Sequence, residues 1–479
     1  MTITAKRVQR GKLPDLSAMT DHYQLLIVAA LSLAVALVGI DTPGIGFDEA
    51  ATWWAAQLDW VELGKLLANQ DRNFAPYYTF MHLWMLPSDS LWWLRIPSAV
   101  GGALSVVATA GLCRHLFGTR AAWIAALLMV IAYSWVRFSQ EVRPYSWSLA
   151  IATFATWAFV WMTGRRSGRI AAVYLALMVV LPVTHPFAGI AAGVHLLYSL
   201  VAKDRKLAVL AIIGALPTLV AAGLVMGQVK QVSWLGAVTP LEAVRELVGL
   251  SKVVWYAPVA AAACAGLASY RRIRKNRGNR PAEFVLFVSW WACPPVFLWV
   301  VSELVTPVYA ARYVFWTLPA MVLPAAALIS MLFDLPKFRF TVTAALASLI
   351  AITIPGQVSA RGPDGHLWAP QEFAALIIDD GELGDGLVDA DFLALTLQYH
   401  LRGHAIPEPL VLGAANAEGK FTDTQVPIAS QLERLKDYSR LWVLEETTNA
   451  KQLPVGFCPE EVWTSGYGIA RLTLATRCE

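Results

Sequence analysis

The sequence predicts a mostly α-helical fold, a polytopic bundle of transmembrane helices followed by a small α/β domain on the outer side of the membrane. Of its 479 residues, 57% are hydrophobic and only 15% are charged, whereas about 25% of the residues of a soluble domain are charged. Its 20 Trp residues belong to a type that concentrates at membrane–water interfaces. Together with a mean hydropathy of +0.52, this composition excludes a soluble globular protein.

Eleven apolar stretches have roughly the length of a membrane-spanning helix, which needs about 20 residues. A twelfth apolar run, 75–87, is too short for a full span, and including it would invert the distribution of positive charges. We therefore predict about 11 spans. The stretches cover residues 23–40, 93–112, 121–137, 146–162, 170–186, 187–202, 207–226, 247–269, 282–304, 313–333 and 340–356.

Positive charges are concentrated on one side of this arrangement. More than half of the 38 Lys and Arg residues fall in six segments that share a side with the N-terminus. Cytoplasmic loops carry such an excess, so we predict a cytoplasmic N-terminus and an outer C-terminus in the cell (plasma) membrane. The run Arg271–Arg280 resembles a nucleic-acid patch, but topology and lipid anchoring explain it better. No nucleic-acid partner is predicted.

The chain divides into a transmembrane module, residues 1–356, and an extracytoplasmic α/β domain, residues 357–479. Within the module, the outer loop 41–92 contains two amphipathic stretches, which predict interfacial helices over 53–67 and 73–86. Both the loop and the tail lie on the outer face in the predicted topology.

The tail alternates apolar runs with helix-like stretches, a pattern that is typical of a small α/β domain. Its cysteines, Cys458 and Cys478, lie 20 residues apart. They either form a disulfide, as an oxidising outer compartment permits, or remain two unpaired thiols. The apolar runs are 386–390, 410–414 and 441–444, and the helix-like stretches are 371–378 and 393–401.

Polar and charged side chains gather at the outer ends of the spans, which places any chemistry at the outer interface. The acidic pair Asp48 and Glu49 follows the first span by about eight residues. Such a pair suits general-base catalysis, since a carboxylate near an apolar boundary can have its pKa raised. The alternatives are a solvated acidic turn or an N-cap of a helix that starts at Ala50.

Three further outer sites carry candidate residues. Glu141 and Arg143 lie in the turn between two spans. They either pair with each other, or Arg143 meets a phosphate, for which a planar guanidinium is well suited. His185, at a Pro break, is either a substrate contact or a simple cap. Arg312, followed by Tyr313, begins the tenth span and either binds an anion or extends to the lipid head groups.

The second outer-loop stretch adds Tyr77 and His82. A His in such a place more often packs or forms a hydrogen bond than acts in catalysis. Acids and His are present, but no spacing of metal ligands is visible. We therefore predict no metal and no other cofactor.

These motifs occur in an order that resembles the bacterial protein-mannosyltransferase-like (family 39-like) group of integral membrane glycosyltransferases with the GT-C fold. The resemblance covers about residues 20–335. One departure is Phe74-Ala75-Pro76-Tyr77, where many relatives have a Pro-Pro-Leu-Tyr-like run. In chain order the motifs are Asp48-Glu49, Pro76-Tyr77-Tyr78 with His82 and Trp84, Leu94-Arg95-Ile96-Pro97-Ser98, Leu116-Phe117-Gly118, Ser139 to Tyr145, and Ala311-Arg312-Tyr313 with Leu318-Pro319.

The resemblance implies an inverting transferase on the outer face. It would move a sugar, mannose or a pentose such as arabinofuranose, from a polyprenyl-phosphate donor to a glycan, lipid or protein acceptor of the cell envelope. The resemblance implies Asp48 as the base, with Glu49 as its neighbour or substitute. The charge of the leaving phosphate needs cationic donors, so we predict Arg312 and Arg143, together with Tyr313, as the donor-phosphate residues. The predicted substrate residues are Glu141, His185, His82 and Tyr77.

Two other classes of function remain open from the sequence. One is a flippase or transporter of a lipid-linked sugar, which should carry ionisable or broken-helix sites near mid-membrane. The other is a non-catalytic subunit of an envelope-assembly complex, which would not need Asp48, Glu141 and Arg312 on one face. Among enzymes, an oligosaccharide ligase is the nearest rival.

Overall fold

The computed structural model describes residues 16–228, 256–273 and 280–366 of the membrane module. In the tail it describes 369–382, 384–389, 394–404, 435–447, 453–465 and 468–478, with a few isolated residues between these ranges. The N-terminal basic residues, the first part of the window 247–269, most of the basic run 271–280 and the apolar run 410–414 lie outside the described residues.

Each predicted apolar window contains a helix. Short 3₁₀ helices at Pro186–Ile190 and Ala311–Thr317 lead into two of them, and a third lies at Pro336–Phe338. In chain order the helices up to the tail are α1 Leu16–Leu37, α2 Phe47–Gln57, α3 Trp60–Asn69, α4 Ala75–Trp84, α5 Leu91–Phe117, α6 Thr119–Val130, α7 Tyr133–Ser139, α8 Tyr145–Gly164, α9 Gly168–Thr184, α10 Ala191–Val201, α11 Arg205–Val225, α12 Tyr256–Ala268, α13 Tyr270–Ile273, α14 Arg280–Leu304, α15 Leu318–Phe333 and α16 Arg339–Ala360.

Among the described residues, five helical segments are long and apolar enough to cross a membrane alone, and the α6–α7 pair, bent by 69°, adds a sixth if it is one span. The chain is therefore a multi-pass membrane protein, and the mostly helical fold is confirmed. The count of about 11 spans stays a prediction. The five segments are Leu91–Phe117, Arg205–Leu224, Pro281–Leu304, Ala311–Phe333 and Pro336–Ala360.

The bundle packs around α5 and α8. Helix α5 lies against α1, α6 and α8, and α8 also lies against α9. Close approach depends on Gly111 of α5, because a Cβ there would come within 2.3 Å of the Trp157 ring on α8. This packing holds the outer ends of the helices in fixed positions, where the candidate residues lie.

The outer loop is helical, but its boundaries differ from the prediction. The expected single helix over 53–67 is wrong, because α2 ends at Gln57 and α3 begins at Trp60. Asp59 sets this break: its side chain accepts hydrogen bonds from the backbone N–H of Val61 and Glu62, both at 2.8 Å. A side-chain oxygen at this position satisfies the unpaired N–H groups of a new helix.

Helix α2 begins at Phe47 rather than at Ala50. Asp48 and Glu49 therefore lie inside its first turn, where negative charge is favourable next to the helix dipole. The Glu49 side chain accepts a hydrogen bond from the Gly46 N–H at 2.9 Å, one half of a capping box. The interpretation of the pair as a solvated turn is wrong for Glu49, whose side chain is fully buried.

The tail is a small α/β domain, as predicted. Its five strands are ordered β2-β1-β3-β5-β4; β1 is parallel to β2 and β3, while β5 is antiparallel to β3 and β4. The elements are α17 Pro370–Asp380, β1 Gly386–Asp389, α18 Ala394–Leu401, β2 Glu408–Pro409, β3 Arg440–Glu446, β4 Phe457–Thr464 and β5 Ala470–Arg477.

A disulfide closes this domain internally, and contacts with Asp89 attach it to the membrane module. Cys458 and Cys478 form a disulfide with a Cα–Cα distance of 5.1 Å, which ties the edge strand to the end of the chain. On the membrane side, the Tyr399 hydroxyl donates to the Asp89 carbonyl at 2.8 Å, and Arg402 pairs with the Asp89 carboxylate at 2.8 Å. Helix α16 ends at Ala360, whereas the predicted boundary between the two domains follows residue 356. The division into these two domains stays a prediction.

The predicted sidedness can be checked by cysteine labelling. We expect a cysteine at the exposed position Glu382 to react with an impermeant maleimide in intact cells. One at the exposed position Lys337 should react only after the membrane is opened. The background should have Cys113, Cys264 and Cys293 replaced by Ala. Protection of position 382, or labelling of 337 in intact cells, would contradict the topology.

Candidate active site

Two arginines from distant parts of the chain flank one carboxylate, that of Asp48. Its Oδ1 lies 3.5 Å from Nη2 of Arg143 and its Oδ2 lies 3.8 Å from Nη1 of Arg312. Both distances exceed those of a tight ion pair, about 2.7–2.9 Å. The side chain is 26% exposed. The carboxylate therefore has two cations beside it and keeps the capacity to accept a hydrogen bond from a bound hydroxyl.

The charge state of Asp48 follows from its surroundings. Burial acts to raise its pKa, but Arg143 and Arg312 outweigh burial, and the pKa is lowered from its usual value. The expected rise of the Asp48 pKa is therefore wrong, because the two guanidinium groups outweigh burial. Asp48 is ionised at neutral pH, and its suitability as a proton acceptor depends on its partial exposure and its free lone pairs rather than on a raised pKa.

Arg143 is held on the inner side of this cluster. Its Nη1 donates to the Tyr78 hydroxyl at 3.0 Å, and its guanidinium lies 4.5 Å from the centre of the Phe74 ring. Its side chain is only 4% exposed, and its Nε has no hydrogen-bond partner among the residues that the structure describes. A buried cation with an unsatisfied donor is suited to an anionic ligand.

Glu141 pairs with Arg137 at 2.6 Å rather than with Arg143. Of the two alternatives, the Glu141–Arg143 pair is therefore wrong, because Arg143 contacts Asp48 and Tyr78 instead. Burial raises the pKa of Glu141 to about 7, against the opposing effect of Arg137, and the nearby charge of Asp48 raises it further. Glu141 is thus the acid of this site that titrates near neutral pH.

Glu49 is the centre of a second, fully buried group with Arg95 and His366, which we call the Glu49 cluster. Its Oε1 accepts from Arg95 Nε and from the Val142 N–H, both at 2.9 Å. Its Oε2 accepts from Arg95 Nη2 at 2.8 Å and from His366 Nδ1 at 2.5 Å. The Gly46 N–H also donates to Oε2, so each oxygen of the Glu49 carboxylate accepts at least two hydrogen bonds.

These hydrogen bonds decide what Glu49 can do. Burial acts to raise the pKa of Glu49, but Arg95 and His366 outweigh it and hold the pKa well below its usual value. The pKa of Asp48 is lowered as well, so the difference lies in the lone pairs: a carboxylate whose oxygens already accept several hydrogen bonds is a poor proton acceptor. The geometry therefore favours a positioning role for Glu49, fixing α2 against the 140–144 turn, over a substitute base.

Arg95 and His366 were not predicted as site residues. Arg95 also donates to the carbonyls of Ile40 at 2.8 Å and Pro43 at 2.9 Å, so it anchors the turn after α1. A charged residue inside an apolar span is a signal for a buried partner, and it could have identified Arg95. His366 lies 317 residues from Glu49 in the chain, so no local pattern connects them.

His185 and Tyr313 join the Asp48 site through Arg312. Their rings lie 4.9 Å apart, and the Arg312 guanidinium is 5.4 Å from the centre of the Tyr313 ring. Burial, with the added effect of Arg312, lowers the pKa of His185 to about 3. His185 is therefore a neutral ring at the wall of the site and has no proton to supply at neutral pH.

The two remaining predicted residues divide. Tyr77 is buried beside the site: burial raises its pKa, and the opposing effects of Ser98 and Arg143 mark both as neighbours. His82 does not belong to the site. Its Nδ1 is bonded to the Ala56 carbonyl at 2.9 Å, and its ring packs on Trp60 with centroids 4.3 Å apart, so it joins α4 to α2 and α3.

No protein-family model matches the chain, and no curated protein matches it significantly by sequence. Solved structures do match. ArnT from Cupriavidus metallidurans in the apo state has a TM-score of 0.60 at 14% identity, over 95% of this chain and 98% of that one. ArnT and the other solved structures that match are membrane glycosyltransferases that share one architecture, the GT-C fold. The chain has the GT-C fold.

Two further structures support this GT-C assignment. ArnT bound to undecaprenyl phosphate matches with a TM-score of 0.59 at 14% identity, over 94% of this chain and 97% of that one. The Archaeoglobus fulgidus oligosaccharyltransferase in complex with Zn and sulfate has a TM-score of 0.51 at 14% identity, over 88% of this chain and 67% of that one. Membership of the protein-mannosyltransferase-like group stays a prediction.

In the described part of this GT-C chain, no group of three or more His, Cys, Asp or Glu could hold a metal ion. The expectation of a site without metal or cofactor remains untested. What the described residues do supply is one carboxylate with two guanidinium groups, which is a site for a hydroxyl beside an anion.

Proposed function

We propose that the chain transfers a sugar from a polyprenyl-phosphate donor to a hydroxyl group of a cell-envelope glycan, lipid or protein on the outer face. The observation that carries this proposal is the position of Asp48 between Arg143 and Arg312, at 3.5 and 3.8 Å. A GT-C neighbour, ArnT, was solved with undecaprenyl phosphate bound, which supports a donor of this class. An oligosaccharyltransferase neighbour was solved tethered to an acceptor peptide.

The proposed reaction is a single displacement. The acceptor oxygen attacks the anomeric carbon, the bond from that carbon to the phosphate oxygen breaks, and its electron pair leaves with the polyprenyl phosphate. The acceptor proton passes to Asp48. A positioned base of this kind contributes roughly 10²–10⁴-fold in rate. Attack opposite the leaving group inverts the anomeric centre.

The two arginines would neutralise the donor phosphate and the charge that grows on it as the bond breaks. Charge-assisted hydrogen bonds from a guanidinium to phosphate oxygens are strong and directional. Phosphate is already a good leaving group, so the reaction needs no strong general acid. This agrees with a neutral His185 at the wall of the site.

The proposal is tested with the purified protein in liposomes and a panel of polyprenyl-phosphate donors that carry mannose, arabinofuranose or glucose. We expect at least one donor to yield free polyprenyl phosphate and a new glycoside. Hydrolysis of that donor by water in the absence of acceptor would also support transferase chemistry. If the intact donor crosses the bilayer without release of polyprenyl phosphate, the chain is a flippase, and the transferase proposal fails.

Arg312 provides a test of phosphate binding. We expect Arg312→Lys to weaken turnover, and Arg312→Ala to weaken it more, because Lys keeps the charge but loses the planar fork of donors. The measurement is the dissociation constant of undecaprenyl phosphate together with turnover. Arg361→Lys is a matched control, since Arg361 donates to the backbone carbonyls of Val35 in α1 and Gln357 in α16 instead. Unchanged donor affinity in a monodisperse Arg312→Ala protein would remove Arg312 from the site.

Glu141 predicts a pH dependence of donor binding. Below about pH 7 its carboxyl is protonated and neutral, and above about pH 7 it adds a negative charge beside Asp48. The affinity of the wild-type protein for undecaprenyl phosphate should therefore fall relative to that of Glu141→Gln as the pH rises through this range. The two proteins are compared because the phosphate monoester itself gains a second negative charge at about pH 6 in both. This pH dependence is measured by binding titrations of both proteins between pH 6 and 8, in steps of roughly half a pH unit. An identical fall in Glu141→Gln would contradict the assignment.

A further inference from the structure

A further carboxylate, which the proposed reaction does not use, lies half-buried behind Arg143. Asp71 Oδ2 accepts a hydrogen bond from the Tyr78 hydroxyl at 2.6 Å. The same hydroxyl accepts a hydrogen bond from Arg143 Nη1 at 3.0 Å. Tyr78 is completely buried, so this hydroxyl uses a donor and an acceptor site in a dry environment. The result is a chain of contacts from Asp71 through Tyr78 and Arg143 to Asp48.

Asp71, at one end of this series of contacts, lies in a turn that is fixed by hydrogen bonds. Asp71 has a backbone φ of 53°, in the left-handed region that only Asn, Asp and a few other non-glycine residues visit. The next residue ties the turn to two helices: Arg72 donates to the carbonyls of Ala68 at 3.1 Å and Leu224 at 3.2 Å. Its backbone N–H donates to Gln228 at 2.8 Å. An unusual backbone conformation that is fixed on both sides is typical of functional sites.

Arg143, near the other end of this series of contacts, is the residue that is held in position. Phe74 stacks on Tyr78, with ring centroids 5.8 Å apart, and also lies under the Arg143 guanidinium. Arg143 therefore has a hydrogen bond on one side and a ring on another, while its contact with Asp48 is long, at 3.5 Å. Without the hold from Tyr78, two opposite charges at this distance would close into a tight pair. Asp48 would then lose the lone pairs that it needs for an acceptor hydroxyl.

We propose that Asp71 and Tyr78 are positioning residues, which fix the Arg143 guanidinium for the phosphate of the donor and keep it from closing on Asp48. This inference rests on the proposed function. It adds to it two residues that touch neither donor nor acceptor and act through Arg143. A pre-organised cation loses less conformational freedom when the ligand binds.

The test is the affinity of the full-length protein for undecaprenyl phosphate alone, measured by calorimetry for Tyr78→Phe and Asp71→Asn. We expect Tyr78→Phe to bind roughly 10-fold more weakly, since it removes the hydroxyl that links Asp71 to Arg143. Asp71→Asn should weaken binding less, because its amide oxygen still accepts the hydrogen bond but without the negative charge that strengthens it. Tyr399→Phe is the matched control: it removes a tyrosine hydroxyl that donates to the Asp89 carbonyl, outside this chain, and should bind as wild type. Asp71→Asn keeps the shape and the left-handed preference, so it is informative even if Tyr78→Phe fails to fold.

A double-mutant cycle separates positioning from general structural support. If Tyr78 acts through Arg143, Tyr78→Phe should cost no further affinity in an Arg143→Ala background. An equal loss in both backgrounds would overturn the inference, as would wild-type affinity in both Tyr78→Phe and Asp71→Asn while Arg143→Ala binds weakly. In those cases the donor site still stands. If the wild-type protein itself does not bind undecaprenyl phosphate, the proposed function fails and the inference fails with it.

Discussion

Asp48→Asn is expected to lower the rate of sugar transfer by roughly 10²-fold or more. Asn has nearly the shape of Asp but does not accept a proton at neutral pH. Donor binding should be preserved or strengthened, because the change removes a negative charge from between Arg143 and Arg312. Single-turnover kinetics with a saturating donor measure the chemical step apart from binding.

The pH profile gives a second measure of the same residue. Because the arginines lower the pKa of Asp48, the acidic limb of the rate profile should lie below the usual range of an Asp and disappear in Asp48→Asn. Asp59→Asn is the matched control, since it makes the same substitution in the same outer loop and Asn still caps α3. A near wild-type rate in Asp48→Asn, with either a sugar acceptor or water, would refute the base assignment.

Glu49→Gln should cause the largest loss of stability, about 3–5 kcal/mol, because it leaves the buried Arg95 charge without its partner. Arg95 and Glu49 are both fully buried, so water cannot replace the lost contact. The pKa of Glu49 is held below its usual value. Its contribution is therefore complete at neutral pH and is lost only as the pH falls through the lowered pKa.

Thermal unfolding in detergent tests this, with Arg95→Met and the double variant alongside. We expect the double variant to recover part of the loss, because an apolar pair leaves no buried charge uncompensated. A Glu49→Gln protein as stable as wild type would show that the Glu49 cluster does not hold α2 in place. Glu49 would then become a candidate for the base.

The features that the sequence predicted correctly are those with a local or one-dimensional signal. Hydropathy identifies a helix in each apolar window, and the alternation of runs in the tail predicts its α/β character. Arg143, His185 and Arg312 could be grouped because each follows or begins a span on the same side. The packing of the bundle, which the sequence does not reveal, brings Arg143 and Arg312 to Asp48 and places His185 beside Tyr313.

The parts that were missed depend on long-range contacts or on single caps. The break between α2 and α3 depends on the side chain of Asp59, which a hydrophobic stripe does not reveal. Glu141 pairs with Arg137, one helical turn away, rather than with Arg143. Arg143 instead donates a hydrogen bond to Tyr78. His366 reaches Glu49 only because the segment after the last span folds back over the first outer loop.

The most direct test of the account is a single-turnover assay in liposomes that compares wild type with Asp48→Asn, using a donor from the panel that the wild-type protein accepts. We expect wild type to release one polyprenyl phosphate for each glycoside formed, with an inverted anomeric centre. We expect Asp48→Asn to bind the same donor but to form product at least roughly 10²-fold more slowly. Retention of the anomeric configuration, or equal rates in the two proteins, would contradict this mechanism.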